Sequence, residues 1–204
     1  MSLVPLGFEG ESLRALIIGG GNVGTRRATA LLDAGATVKV IAPVISGALL
    51  ETSINNPRLS IEQREFGGAS DVRAYHLVVA ATNSREVNEK IAVDAKSAGI
   101  PVCVADSAER GNFVFLAAHR AGPITIGVGA GKVPNAAGRI RDSIASRIDS
   151  RYAEAVTQCG EIRERLLESG GTESWREVAA ELIGEGFCSS VEDGSFSEQA
   201  ARWR

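Results

Sequence analysis

Leu13 to Ile18 is a short apolar run closed by glycines, the pattern of a strand buried on both faces of a parallel sheet. From Asn22 the period turns helical: Val23, Ala28, Leu31 and Leu32 share one face, and Gly35 marks the stop. Thr37 to Ile41 is a second strand, which completes a β-α-β unit with a right-handed crossover. A weakly helical segment covers Ser46 to Asn55, Leu59 to Phe66 alternates as a third strand, and Leu77 to Ala80 makes a fourth. Asn83 is the expected N-cap of a helix from Arg85 to about Ala98, with Glu86 at the third helical position. Gly99 ends that helix, and Pro101 leads into a fifth strand, Val102 to Val104. The alternation predicts an α/β fold, a Rossmann-like doubly wound parallel sheet.

Beyond Asp106 the pattern changes. Two apolar β-like runs, Asn112 to Ala117 and Ile124 to Val128, flank a turn at Gly122-Pro123. The glycine-rich stretch "GAGKVPNAAG" then feeds one long helical pattern from about Asn135 through Leu167, with Ile140, Ile144, Ile148, Ala155 and Ile162 along it. Such a helix exceeds what the first domain can cover, so it pairs with a second subunit or with the tail. In the tail, Ser174 to Ile183 is amphipathic, and the polar end that follows reads as low in complexity and partly disordered. The expected domains are residues 1–111, a nucleotide-binding domain; 112–150, a β and long-helix segment for dimerisation and the substrate cleft; and 151–204, a small helical domain.

Composition narrows the class. No apolar run approaches the roughly 20 residues that span a bilayer, and the N-terminus lacks a basic region followed by an apolar stretch, so the expected place is the cytoplasm. The three cysteines, Cys103, Cys159 and Cys188, stand far apart and read as free thiols. With two histidines, no C-x-x-C and no H-E-x-x-H, no local metal site is expected. The net charge of −3 hides an asymmetry: residues 106–151 carry 7 Lys and Arg against 4 Asp and Glu, whereas residues 152–204 carry 5 against 11. A basic middle attracts a polyanion or is simply a solvated face, and no basic run is dense enough for a nucleic-acid footprint.

Three stretches carry candidate chemistry. In "LIIGGGNVGTRRATALLDAGATVKVIAP", Gly19, Gly21 and Gly24 fall between a predicted strand and a predicted helix, the context that makes G-x-G-x-x-G a phosphate-binding turn. The acid that usually grips the ribose after the second strand is missing; Ala42 and Pro43 stand there. Arg26, Arg27 and Lys39 read as ordinary solvated charge. In "VVAATNSREVN", the small residues Ala80 and Ala81 leave room for a flat ligand and Thr82 offers a hydroxyl. In "VCVADSAERGNFVF", Asp106 follows the fifth strand, where a carboxylate serves either as a general base or as a turn cap.

In this order and spacing the three stretches resemble the precorrin-2 dehydrogenase family, which includes the corresponding half of bacterial siroheme synthases, enzymes that also act as sirohydrochlorin ferrochelatases. The likeness covers about residues 3–150. It implies NAD as cofactor, with Gly21, Asn22 and Val23 at the pyrophosphate, Pro43 and Val44 at the adenosine end, and Ala80, Ala81 and Thr82 at the nicotinamide. It further implies Asp106 as the essential aspartate, an intertwined homodimer, and a small helical domain at the end. The substrate would be the tetrapyrrole precorrin-2, and for chelation sirohydrochlorin and Fe²⁺, with His119 as a second proton carrier. Asn112, His119, Lys132 and Arg139 are the candidate contacts to that polyanion. One departure stands out: the family's loop before the long helix commonly carries a Ser-Pro step, and "GVGAGKVPNAAGRIR" has no serine. The competing reading is a non-enzymatic NAD-sensing module, which would share the glycines and lack turnover.

Overall fold

In the computed structural model, residues 3–131, 133–168 and 172–203 are described. By contacts the chain divides into two compact units, 6–115 and 116–204, the latter together with the first five residues.

The first unit is a five-stranded parallel sheet. Its strands are β1 (Arg14–Gly20), β2 (Thr37–Ile45), β3 (Leu59–Glu62), β4 (Leu77–Ala80) and β5 (Val102–Val104), in the order β3-β2-β1-β4-β5. Helices α1 (Asn22–Leu32), α2 (Gly47–Asn55), the short α3 (Ala69–Val72) and α4 (Arg85–Ser97) connect them. The doubly wound sheet predicted from the alternation is therefore present. Two apolar clusters form around it. One gathers Ile17, Ala28, Leu31, Val38, Leu49 and Val79, the other Leu16, Ile18, Val72, Ile91, Ala95 and Val102. Consecutive residues of β1 thus feed opposite clusters, which is why its sequence is a continuous apolar run. Leu16, Ile17 and Ile18 are almost fully buried, and each contributes roughly 1.5–3 kcal/mol by burial. That exceeds what any exposed ion pair of this unit supplies, about 0–1 kcal/mol.

Because strand order reverses between β1 and β4, the carboxyl ends of those strands open a crevice. The N-cap of α4 is Ser84, one residue beyond the expected Asn83; its hydroxyl oxygen accepts from the Val87 N–H at 3.3 Å. Asn83 stays exposed.

In the second unit, β6 (Ala117–Ala121) and β7 (Ile124–Val128) form an antiparallel hairpin. Strand pairing begins at Ala117, so residues 112–116 of the predicted run lie outside it. The expected single long helix is two, α5 (Pro134–Ala145) and α6 (Ser150–Glu168). The break is a capping event: the Asp149 carboxylate accepts from the Arg151 N–H at 3.0 Å and clasps the Arg151 guanidinium, which starts a new helix. The amphipathic segment predicted over Ser174 to Ile183 is helical, and the polar end that read as partly disordered carries two further helices among the described residues. α7 (Thr172–Leu182), α8 (Phe187–Asp193) and α9 (Phe196–Ala201) pack with α6 around Tyr152, Ile162, Leu182, Val191 and Phe196. Gly194, at φ +86°, closes α8 in the left-handed conformation. Helices of six and seven residues are too short for an 11–18-residue periodicity window to register. No helix among the described residues is long and apolar enough to cross a membrane.

Phe196 is 3% exposed and meets the Phe187 ring edge-on at 5.4 Å. Phe196→Ala is expected to cost about 3–5 kcal/mol within the second unit, read as a lower melting temperature and proteolytic cleavage between α7 and α9; an unchanged cleavage pattern would contradict this packing.

Candidate active site

The glycine turn is built by exclusion of side chains. A Cβ on Gly24 would lie 2.0 Å from the Gly19 carbonyl oxygen, and one on Gly19, whose φ is +124°, would lie 2.2 Å from the Ala81 carbonyl oxygen. The start of α1, the end of β1 and the residue after β4 therefore touch backbone to backbone. Gly21 differs, since a Cβ there would meet nothing within 4 Å. It faces open space as the N-cap of α1, and the first intrahelical bond runs from the Thr25 N–H to the Gly21 carbonyl. The preceding N–H groups of Asn22, Val23 and Gly24 therefore lack helical acceptors and suit an anion.

Where the ribose acid would be expected, β2 makes a bulge. Ile18 pairs with Ile41 and Gly20 with Ile45, so Ala42, Pro43 and Val44 stand opposite Gly19 alone. Pro43 and Val44 are exposed on that excursion, and the Gln63 carboxamide donates to the Pro43 carbonyl at 3.1 Å. Pro43 has no N–H to lose from the ladder, which suits it to the bulge. The predicted strand ended at Ile41; in the structure β2 resumes pairing at Ile45.

At the ends of β4 and β5 a buried carboxamide organises the loops. Asn88, on the first turns of α4 and 1% exposed, accepts from the Thr82 N–H at 3.0 Å and the Thr82 hydroxyl at 2.8 Å. Its amino group donates to the Thr82 carbonyl at 3.1 Å and to Asp106 Oδ1 at 3.3 Å. The other carboxylate oxygen, Asp106 Oδ2, accepts from Arg110 at 2.9 Å. The Asp106 side chain is 41% exposed and that of Arg110 19%. The candidate base is thus fixed at both oxygens while one side of the carboxylate stays open to solvent.

A family model described as "Putative NAD(P)-binding" matches residues 7–117. The chain belongs to this NAD(P)-binding family. It is 32% identical over 170 residues to the siroheme synthase of Methylococcus capsulatus, covering 83% of this chain and 35% of that protein. It is 33% identical over 195 residues to the siroheme synthase of Psychrobacter cryohalolentis, covering 94% and 36%. The siroheme synthase of Photobacterium profundum is 30% identical over 202 residues, covering 98% and 41%. The chain therefore spans little more than a third of the length of these relatives. Among solved structures it shares the fold of "SirC, precorrin-2 dehydrogenase", with a TM-score of 0.75 at 23% identity, covering 98% of this chain and all of that one.

A dinucleotide of the NAD(P)-binding family fits the first unit. Gly21 leaves open the space in front of three free N–H groups, and Ala80, Ala81 and Thr82 end β4 without a bulky side chain. Two of the cations read as solvated are engaged. Arg27 stacks over the Phe115 ring at 4.3 Å, and burial holds its guanidinium below the usual arginine range. Lys39 pairs with Glu62, whose hydrogen bond raises the ammonium's pKa. Arg26 remains exposed. Neither Arg27 nor Lys39 is left over for a 2′-phosphate.

Asn112 carries a structural duty: its carboxamide oxygen accepts from the Val102 N–H at 2.7 Å while its own N–H donates to the Val102 carbonyl, so it serves as an added rung on β5. In the second unit, His119 on β6 is half-buried with Nε2 3.4 Å from the Ile148 carbonyl, and Arg139 is exposed on α5. Lys132 lies outside the described residues. Arg120, Arg139 and Arg147 pair with no carboxylate among the described residues, unlike Arg110, Arg141 and Arg151. Sequence reasoning missed Asn88 and counted Arg110 only among the basic residues of the middle segment; both lay in quoted stretches, but no motif rule marks a buried amide or an ion pair formed by folding.

The glycines should separate by role. Gly21→Val is expected to leave the melting temperature within a few degrees while weakening NADH binding, followed by fluorescence, at least tenfold. Gly24→Ala forces a backbone shift costing about 1–3 kcal/mol; a Gly24→Ala protein as stable as the parent would contradict the close approach.

Proposed function

We propose that the protein is a precorrin-2 dehydrogenase that uses NAD⁺ to oxidise precorrin-2 to sirohydrochlorin. The observation that carries this reading is Asp106 at the end of β5, joined through Asn88 to Thr82 beside the glycine turn. One network thus links a dinucleotide wall to a proton acceptor. Support comes also from the siroheme synthase relatives, over the part of their length this chain spans.

In the reaction a C–H bond of the reduced macrocycle gives up its hydrogen with the electron pair as a hydride, and a second hydrogen leaves as a proton to extend the conjugation. NAD⁺ would supply the hydride acceptor. Gly21, Asn22 and Val23 would hold its pyrophosphate by backbone N–H groups, Pro43 and Val44 would bound its adenosine end, and Ala80, Ala81 and Thr82 would bound its nicotinamide. Asp106 takes the proton on its open side, and Asn88 and Arg110 keep the carboxylate from turning away. The substrate is a polycarboxylate; in the second unit, Arg120, Arg139 and Arg147 have no carboxylate partner among the described residues. NAD is read as the cofactor over its 2′-phosphorylated form because Arg27 and Lys39 are already engaged and the Ala42 to Val44 bulge carries no cation.

We also infer a homodimer formed through residues 112–150. Of the described residues in that segment only Ala137 is buried, while Val133 and Ile140 are exposed on or beside α5. A two-stranded hairpin with so little buried surface needs a further partner to be stable. The three cysteines are unpaired in the structure, which supports a reducing compartment such as the cytoplasm.

Asp106→Asn is expected to lower the rate of NADH formation from precorrin-2 by about 10²–10⁴-fold with NADH affinity retained; an undiminished rate would remove Asp106 from the chemistry. A sensing module would bind NAD⁺ and give no NADH at all. Ile140→Asp is expected to convert a dimer to a monomer in light scattering behind size exclusion, and a parent protein that runs as a monomer would refute the dimer.

A further inference from the structure

Asn88 is the most deeply buried polar side chain of the first unit, and proton transfer makes no direct use of it. Its carboxamide has two acceptor sites and two donors, and all four are used within the protein. The assignment of its oxygen and nitrogen follows from the Thr82 N–H, which can only donate; a flipped amide would set donor against donor there and leave the Thr82 carbonyl unserved. Three of the four bonds go to one residue, Thr82, and close the chain after β4 where the sheet has no further rung to offer. The fourth goes to Asp106, eighteen residues further along the chain.

We propose that Asn88 is a positioning residue that holds Asp106 at a fixed offset from the Thr82 wall. This rests on the reading of Asp106 as the proton acceptor. A carboxylate on an exposed turn after a three-residue strand would otherwise sample several rotamers; here it is held from two directions. Asn88 holds Oδ1 from the helix side. Arg110 holds Oδ2 at 2.9 Å and is itself anchored to the Arg85 carbonyl at 3.3 Å, with Glu89 3.9 Å from its other nitrogen. Arg110 pairs with Asp106 from the same turn and also with Glu89 from α4. Arg110 supplies charge, whereas Asn88 supplies direction. Among the described residues Asn88 alone hydrogen-bonds both Thr82 and Asp106, so it ties the position of one to the other.

The test uses the full chain and two independent readouts. In Asn88→Asp the acceptor bonds from Thr82 remain, the donor bonds to the Thr82 carbonyl and to Asp106 are lost, and a second carboxylate faces the first. The expected result is a kcat lower by about 10- to 100-fold and an acidic limb of the kcat profile displaced to higher pH, because like charges disfavour ionisation. A profile of unchanged shape would overturn the inference. Should Asn88→Asp fail to fold, the parent protein decides: the side-chain amide resonances of Asn88 in a nitrogen-edited NMR titration should move with the ionisation of Asp106, and should stop moving in Asp106→Asn. Asn88 resonances that ignore the titration in the parent would also overturn it. An active Asp106→Asn defeats the base assignment on its own and leaves the NMR result standing, so the two failures are distinguishable.

Discussion

Three stretches of backbone meet at the end of β1 with no room for a side chain between them. A Cβ at Gly24 would press on the Gly19 carbonyl, and one at Gly19 on the Ala81 carbonyl. This contact fixes the first turn of α1 against the point where strand order reverses, and so aims the helix N–H groups across the crevice. It also sets Ala81 and Thr82 at a constant depth beside those groups. Everything proposed for the site follows from that placement, because a phosphate cradle and a wall for a flat ring must stand a fixed distance apart to hold one dinucleotide.

Polar groups then do what apolar packing cannot. The core clusters hold the sheet, but they end at the strand termini, where loops after β4 and β5 would be free to move. Asn88 closes one loop on Thr82 and reaches the other at Asp106. Breaking one partner of such a buried group costs about 1–3 kcal/mol, more than exposed pairs such as Arg141 with Asp142 contribute. The second unit is organised differently. Its four helices α6 to α9 share a core, whereas the hairpin and α5 present half-buried faces.

Much of the first unit was legible in the sequence, and the reasons are local. β4 and β5 fall at their predicted residues because each is a short fully buried run bounded by turn residues. The glycine spacing located the turn because backbone contact leaves no alternative residue. Other features depend on partners distant in the chain. The bulge at Ala42 to Val44 exists only against Gly19 and Gly20 of the neighbouring strand, so a strand pattern alone ends at Ile41. Asn88 reads as one more polar residue on a helix until Thr82 and Asp106 are brought to it. The helix break at Asp149 turns on a side-chain cap inside a sustained apolar period, and the short tail helices are held by aromatic contacts between segments rather than by a period of their own. The absent ribose acid thus marks a backbone detour that leaves Pro43 and Val44 at the rim.

In the proposed function one crevice couples dinucleotide binding to oxidation of a tetrapyrrole. Mixing the protein with precorrin-2 and NAD⁺ without oxygen, and following NADH and sirohydrochlorin together by absorbance, tests it most directly. Equimolar formation of the two products at a single rate is expected. NAD⁺ binding with precorrin-2 left unchanged would contradict it.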